Sequence, residues 1–250
     1  MKTANKFFLS IAVFATLTTL PLSSQESAEA IMEKNDEIPS GQSFKREMTL
    51  LVIKQGVTEK KEFTGFSKKQ GRSRRSRMQF THPTEMGFLV WDNPGEESQQ
   101  WIKLSGGRVR RIASTDKGKP WMNSHFYNDD VSEKYIEDYK YELIGEESVN
   151  GISCYKIRSV KKGSGATYSK TEVYIGKDDY LTYRVDYFEG GRHVKTLTLT
   201  RYENIQNIPT ARMLTMERAD GKGKSVLYIK SIRYNISVDN RELTREALAK

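Results

Sequence analysis

From about residue 45 onward the chain alternates apolar and polar residues over short stretches. In "REMTLLVIK", Met48, Leu50 and Val52 stand against Glu47 and Thr49. In "YLTYRVDYF", Leu181, Tyr183, Val185 and Tyr187 share one face, and Thr182, Arg184 and Asp186 the other. A period of two is the mark of a strand with one buried and one wet face. Turn residues separate these stretches at Gln55-Gly56, His82-Pro83, Asn93-Pro94-Gly95, Gly106-Gly107, Lys177-Asp178-Asp179 and Glu189-Gly190-Gly191. The pattern predicts about eleven strands joined by short, antiparallel connections.

Helical spacing is confined to three places. "AEAIMEKND" repeats Ala28, Ile31, Met32 and Asn35 before Pro39 and Gly41 stop it. "NSHFYNDDVSEKYIEDYK" spaces Val131, Tyr135, Ile136 and Tyr139 as a short helix, with Asn128 or Asp129 as its N-cap. The tail "NRELTREALAK" reads as a turn and a short helix. The predicted fold is therefore mainly β: a single curled antiparallel sheet of about eleven strands, an incomplete barrel, with a few short helices as lid or plug. With so little helix to cover it, the inside of the curl has to be filled by side chains, a second sheet or a ligand.

The first residues follow a different rule. Lys2 and Lys6 precede the apolar run "FFLSIAVFATLTTLPL", and small polar residues follow it. This is the pattern of a cleaved export signal over residues 1–24, with cleavage between 23 and 30. The run is shorter than the roughly 20 residues that a membrane span needs. Residues 25–250 are expected to form one domain. Apolar residues make up 36% of the chain and charged residues 29%, which suits a sheet with one solvated face. The single cysteine, Cys154, excludes an internal disulfide, and its alternating context "ISCYKI" makes it a small packed residue. The net charge of +9 would suggest nucleic acid in a cytoplasmic protein. In an exported one it points to lipid headgroups, anionic polysaccharides or acidic protein surfaces.

Candidate chemistry is sparse. Of the three histidines only His125 has acidic neighbours, Asp129 and Asp130, and adjacent residues rarely converge on one metal ion. No nucleophile elbow, zinc, P-loop or dinucleotide motif occurs, so no catalytic residue, metal or cofactor is expected. "GRSRRSR" places Arg72 and Arg74 on one face and Arg75 and Arg77 on the other, which fits a charged, solvated edge. Thirteen tyrosines, several on apolar strand faces, suit a half-apolar, half-wet wall. A cavity for acyl chains fits that wall, since burial contributes roughly 0.8 kcal/mol per CH₂.

Three stretches carry a family likeness: "VRRIASTDKGKPWMNSHFYNDDV", "YKYELIGEESVNGISCYKI" and "GRHVKTLTLTRYENI". Arg110-Arg111-Ile112, Trp121, Ser124, Phe126, Asp130 and the Gly151…Cys154-Tyr155 strand match the pattern of the LolA/LolB-like superfamily, in the group of outer membrane lipoprotein-sorting proteins, which the chain resembles. Asn123, His125 and Asn128 depart from it. The resemblance implies a half-barrel whose apolar interior binds the acyl chains of a lipoprotein or another lipid. It implies a periplasmic carrier without enzymatic activity, working as a monomer between an inner-membrane donor complex or exporter and an outer-membrane acceptor. Trp91, Trp101, Trp121, Met122, Phe126, Tyr127, Tyr183, Val185 and Tyr187 are the candidate cavity and lid residues, and Arg108, Arg110 and Arg111 the candidate anion contacts at the rim. Two other readings stay open: an accessory of a resistance-nodulation-type lipid exporter, and a basic surface protein that binds polyanions. Nucleic acid is not an expected partner.

Overall fold

The computed structural model describes residues 26–250. The export signal expected over residues 1–24 lies outside the described residues. Among those described, no helix is long and apolar enough to cross a membrane.

The chain makes six strands in sequence: β1 (Ser43–Lys54), β2 (Val57–Gln70), β3 (Ser73–His82), β4 (Met86–Asp92), β5 (Gln99–Lys103) and β6 (Val109–Arg111). Seven more follow after a long connection: β7 (Tyr139–Val149), β8 (Ile152–Lys161), β9 (Lys170–Gly176), β10 (Thr182–Glu189), β11 (Arg192–Ile205), β12 (Ile208–Arg218) and β13 (Gly223–Tyr234). All thirteen form one antiparallel sheet in the order β6-β5-β4-β3-β2-β1-β13-β12-β11-β10-β9-β8-β7. The two meanders join where β1 pairs with β13, with Leu50 opposite Leu227. β6 and β7 are the open edges. The count exceeds the eleven read from the sequence; β6, with three residues, is too short to carry an alternating pattern.

The inner face of this sheet carries the main core. Met48, Phe63 and Phe80 stand in register on β1, β2 and β3, and the Phe63 and Phe80 rings stack at 4.4 Å. Two helices cover other ground. α1 (Ala28–Asp36) starts at Ser27, whose side chain accepts from Ala30 N at 3.1 Å. It buries Ala28 and Ile31 against Ile157 and Ile175 of β8 and β9 and so plugs one end of the inner face. α2 (Arg245–Ala249) lies on the opposite, outer face of β4 and β5, where Leu248 packs with Leu89 and Trp101. It sits so close that a Cβ at Gly87 would fall 2.4 Å from Leu248 Cδ1.

Residues 112–138 connect β6 to β7, the two far edges of the sheet, so this strap has to cross the inner face. The α-helix expected here from Val131, Tyr135, Ile136 and Tyr139 does not form. The strap has only 3-10 turns, at Ser114–Asp116, Trp121–Asn123, Asp129–Val131 and Ile136–Asp138. Its polar groups are spoken for elsewhere. Asn128 N and Asp129 N donate to Lys119 O and Lys117 O, and Gln100 Nε2 of β5 donates to Asn128 O at 2.7 Å. Asp130 does not cap a helix: its Oδ2 accepts from Tyr127 N at 2.6 Å and pairs with Lys195.

Candidate functional site: the hollow beneath the strap

Between the strap and the inner face lies a hollow of about 760 Å³. Its walls come from β1 and β2 (Phe44, Met48, Phe63), from β12 and β13 (Leu214, Leu227, Ile229, Tyr234), from α1 and from the strap (Trp121, Phe126, Val131). The volume falls within the ~300–1,000 Å³ usual for a pocket that takes one organic ligand. The inside of the curl is thus only partly filled by protein. The filled part is aromatic: Trp121, 2% exposed, meets Phe63, Phe80 and Phe88 with ring centroids 5.7–6.0 Å away.

The strap is fastened at its middle by a buried ion pair. Lys195 Nζ on β11 lies 2.6 Å from Asp130 Oδ2, and the two side chains are 3% and 2% exposed. Tyr168 Oη donates to Asp130 Oδ1 at 2.6 Å, and Lys195 Nζ also donates to His125 O at 3.2 Å. The ammonium sits 3.4 Å from the centroid of the Tyr127 ring, with Tyr168 and Tyr187 also against it. Burial lowers the Lys195 ammonium, and Asp130 opposes that shift. Burial raises the Tyr168 and Tyr187 phenols, with Asp130 acting in the same direction. A second tie joins His125 to β13, through His125 N donating to Ser225 Oγ at 3.0 Å and the ring Nδ1 at 2.8 Å from the same oxygen. Burial holds His125 down at about 4, and the charges of Lys54, Arg218 and Lys195 add to it. Beyond the latch, Glu133 and Glu137 reach Arg74 and Arg72 of the β2–β3 corner. Asp92, at the end of β4, is pushed up to about 6 by burial.

The sequence-predicted residues divide between two faces. Trp121, Met122, Phe126, Tyr127, Val185 and Tyr187 all belong to, or pack on, the inner core beneath the strap. Trp91 and Trp101 do not. They lie on the outer face with Leu248, their rings 4.7 Å apart, and Trp91 Nε1 donates to Leu243 O at 3.0 Å. Tyr183 is also on the outer face. The β10–β9 register slips between Thr182 and Arg184, and that bulge turns Tyr183 onto Cys154, Tyr174 and Val149 while Val185 and Tyr187 stay inside. Cys154 is fully buried there. Arg110 and Arg111 are exposed on β6, the open edge strand, with Arg108 exposed just before it. None of the three makes an ion pair among the described residues. Arg74 departs from the solvated edge read for "GRSRRSR": β3 is an interior strand, and Arg74 is buried on its inner face. Among the described residues no group of three or more His, Cys, Asp or Glu is placed to hold a metal ion.

A family described as "Uncharacterized protein" has a sequence model that matches residues 72–250. The chain belongs to that family. Solved structures set its fold in a wider group. A DUF1329-family protein from Desulfovibrio piger superposes with a TM-score of 0.84 at 27% identity, covering 88% of this chain and 97% of that one. A putative outer membrane lipoprotein-sorting protein domain from Vibrio parahaemolyticus gives 0.85 at 21% identity, over 89% and 98% of the two chains. A LolA superfamily protein from Nitrosomonas europaea gives 0.72 at 18% identity, over 89% and 100%. The family member thus has the fold of the LolA superfamily protein and of the outer membrane lipoprotein-sorting domain. No curated protein matches it.

Proposed function

We propose that this family member carries the alkyl chains of lipids or lipoproteins inside the hollow and releases them at a membrane. The observation that supports this reading is the hollow itself: an open space of about 760 Å³, bounded by apolar residues of the inner strand faces together with Arg46, Arg74 and polar residues of the strap, and covered by a strap rather than by a packed helix layer. No chemistry on the cargo is required. A strap that closes over a loaded hollow and lifts from an empty one shifts the affinity between two states. The apolar leader and the likeness to a lipoprotein-sorting domain support export and a place in the envelope between a donor and an acceptor. Arg108, Arg110 and Arg111, on the open edge beside the strap, suit contact with lipid phosphate or with an acidic partner at delivery.

The test is the lipid content of the purified protein. Leu214 and Leu227 face each other across β12 and β13 and both line the hollow. Organic extraction and mass spectrometry of the wild type are expected to recover near-stoichiometric lipid. The double variant Leu214→Trp/Leu227→Trp fills the space and is expected to lose most of it while keeping its circular dichroism. Equal lipid in both proteins, or none in either, contradicts the reading.

A further inference from the structure

The inner wall carries two arginines where the alternation calls for apolar residues. Arg46 stands between Phe44 and Met48 on β1, and Arg74 faces inward from β3. Both line the hollow. Their guanidinium carbons lie 4.7 and 5.9 Å from the centroid of the Phe44 ring, so the two charges share one corner of the wall. Gly65 on β2 is paired with Arg46, and a Cβ there would come within 3.4 Å of Arg46 Cγ and Nε. The glycine leaves room for the arginine to lie along the wall.

The two arginines differ in their partners. Arg74 Nη1 donates to Ser67 Oγ at 3.0 Å, and its Nε is 3.1 Å from Glu133 Oε2 on the strap. Arg46 has no carboxylate within 4 Å among the described residues, and its Nε is a buried donor without an acceptor. Burial pushes the Arg46 guanidinium down to about 10; Tyr234 opposes this and the Arg74 charge adds to it. Arg46 is half-buried and lines the hollow. Arg74 Nε and Trp121 Nε1, in the same lining, are also buried donors without a hydrogen-bond acceptor. A half-buried cation without a carboxylate partner is poorly solvated, and alkyl chains offer it no compensation. An oxyanion on the ligand supplies the missing partner through charge-assisted hydrogen bonds.

We propose that the hollow seats one anionic amphiphile, with its carboxylate or phosphate beside Arg46 and Arg74 and its alkyl chain along Leu214, Leu227 and Ile229. This rests on the carrier reading and names the ligand class. The charged end lies inside the wall rather than at the rim, so the cargo is a molecule small enough to enter by its head. Arg46 is the primary contact because Arg74 is already engaged. Glu133 competes with the ligand for Arg74, which ties loading to the strap that carries Glu133.

Calorimetric titration with dodecanoate, dodecyl phosphate and dodecanol tests the proposal. The wild type is expected to bind at least one of the two anions about tenfold or more tighter than the alcohol, the worth of one or two charge-assisted hydrogen bonds. Arg46→Gln is expected to bring the preferred anion down to the affinity of dodecanol, with dodecanol itself unchanged. Glu133→Gln is expected to tighten that anion and leave dodecanol alone. Preference for the carboxylate or for the phosphate identifies the source of the oxyanion. Ligand-free Arg46→Gln and Arg46→Met are expected to melt no lower than the wild type, because they remove a half-buried charge that has no ion-pair partner; a structural role for the guanidinium lowers both. Equal affinity of the wild type for alcohol and anions overturns the proposal, as does an anion preference that survives Arg46→Gln, or a loss of folding in both Arg46 variants. Binding of dodecanol without anion preference leaves the carrier reading standing, whereas no binding of any of the three ends both.

Discussion

His125 and Asp92, both buried in the strap region, respond to pH in opposite senses. His125 titrates at about 4 in the folded chain against about 6.5 in the unfolded one, so its contribution to stability is present above pH 6.5 and is lost as pH falls toward 4. Asp92 is raised from about 3.8 to about 6, so the folded chain binds the extra proton and stability falls as pH rises through that window. Relative to the wild type, His125→Gln is expected to gain in melting temperature at pH 4 over pH 7, and Asp92→Asn to gain at pH 7 over pH 4. Thermal unfolding of the three proteins at both pH values checks the two signs; the same tilt in both variants contradicts the assignment. Arg46 interrupts the apolar face Phe44–Met48–Leu50–Val52 in plain view, and that interruption marks a charge on the inner wall. Tyr183 was not legible, because nothing in "YLTYRVDYF" marks the bulge that reverses its parity. Trp91 and Trp101 were misplaced for a different reason: β4 is apolar on both faces, and only the docking of Leu248 shows which face is the outer one.

Among the elements, the strap is the part that departs most from its sequence pattern. Val131, Tyr135, Ile136 and Tyr139 keep helical spacing, yet the segment has to reach from β6 to β7 across the whole inner face. A helix rises only 1.5 Å per residue, so an extended strap covers the distance better. Its backbone is satisfied by Gln100 and by its own earlier carbonyls instead of by helical hydrogen bonds. The regular strands, by contrast, were readable from alternation and turn residues, since each hairpin buries one face and wets the other. The strap's most deeply buried ionic tie to the sheet is the Lys195–Asp130 pair. Lys195→Met leaves Asp130 buried without its cation and is expected to destabilise by roughly 3–5 kcal/mol. The double variant Lys195→Met/Asp130→Asn, which leaves no buried charge, is expected to recover part of that loss. Denaturant unfolding measures the stabilities, and hydrogen exchange over residues 112–138 reports whether the strap is what loosens. Exchange that rises equally across β1 and β13 contradicts a local latch.

For the whole molecule, two meanders joined at β1 and β13 make a sheet too wide to stay flat, and two edges that never meet leave the curl open. Helix α1 plugs one end, the Trp121 cluster fills another part, and the remainder is the hollow on which the account depends. Trp121 lines that hollow, while Trp91 and Trp101 lie on the far side of the sheet. In a Trp91→Phe/Trp101→Phe background the only indole left is Trp121. Titration of that protein with a long-chain alkanoate brominated in mid-chain reads contact directly, because bromine quenches an indole only at close range. The account predicts saturable quenching of Trp121, and none in Leu214→Phe/Leu227→Phe in the same background, which fills the space without adding an indole. A chain that binds without quenching Trp121, or that does not bind, contradicts it.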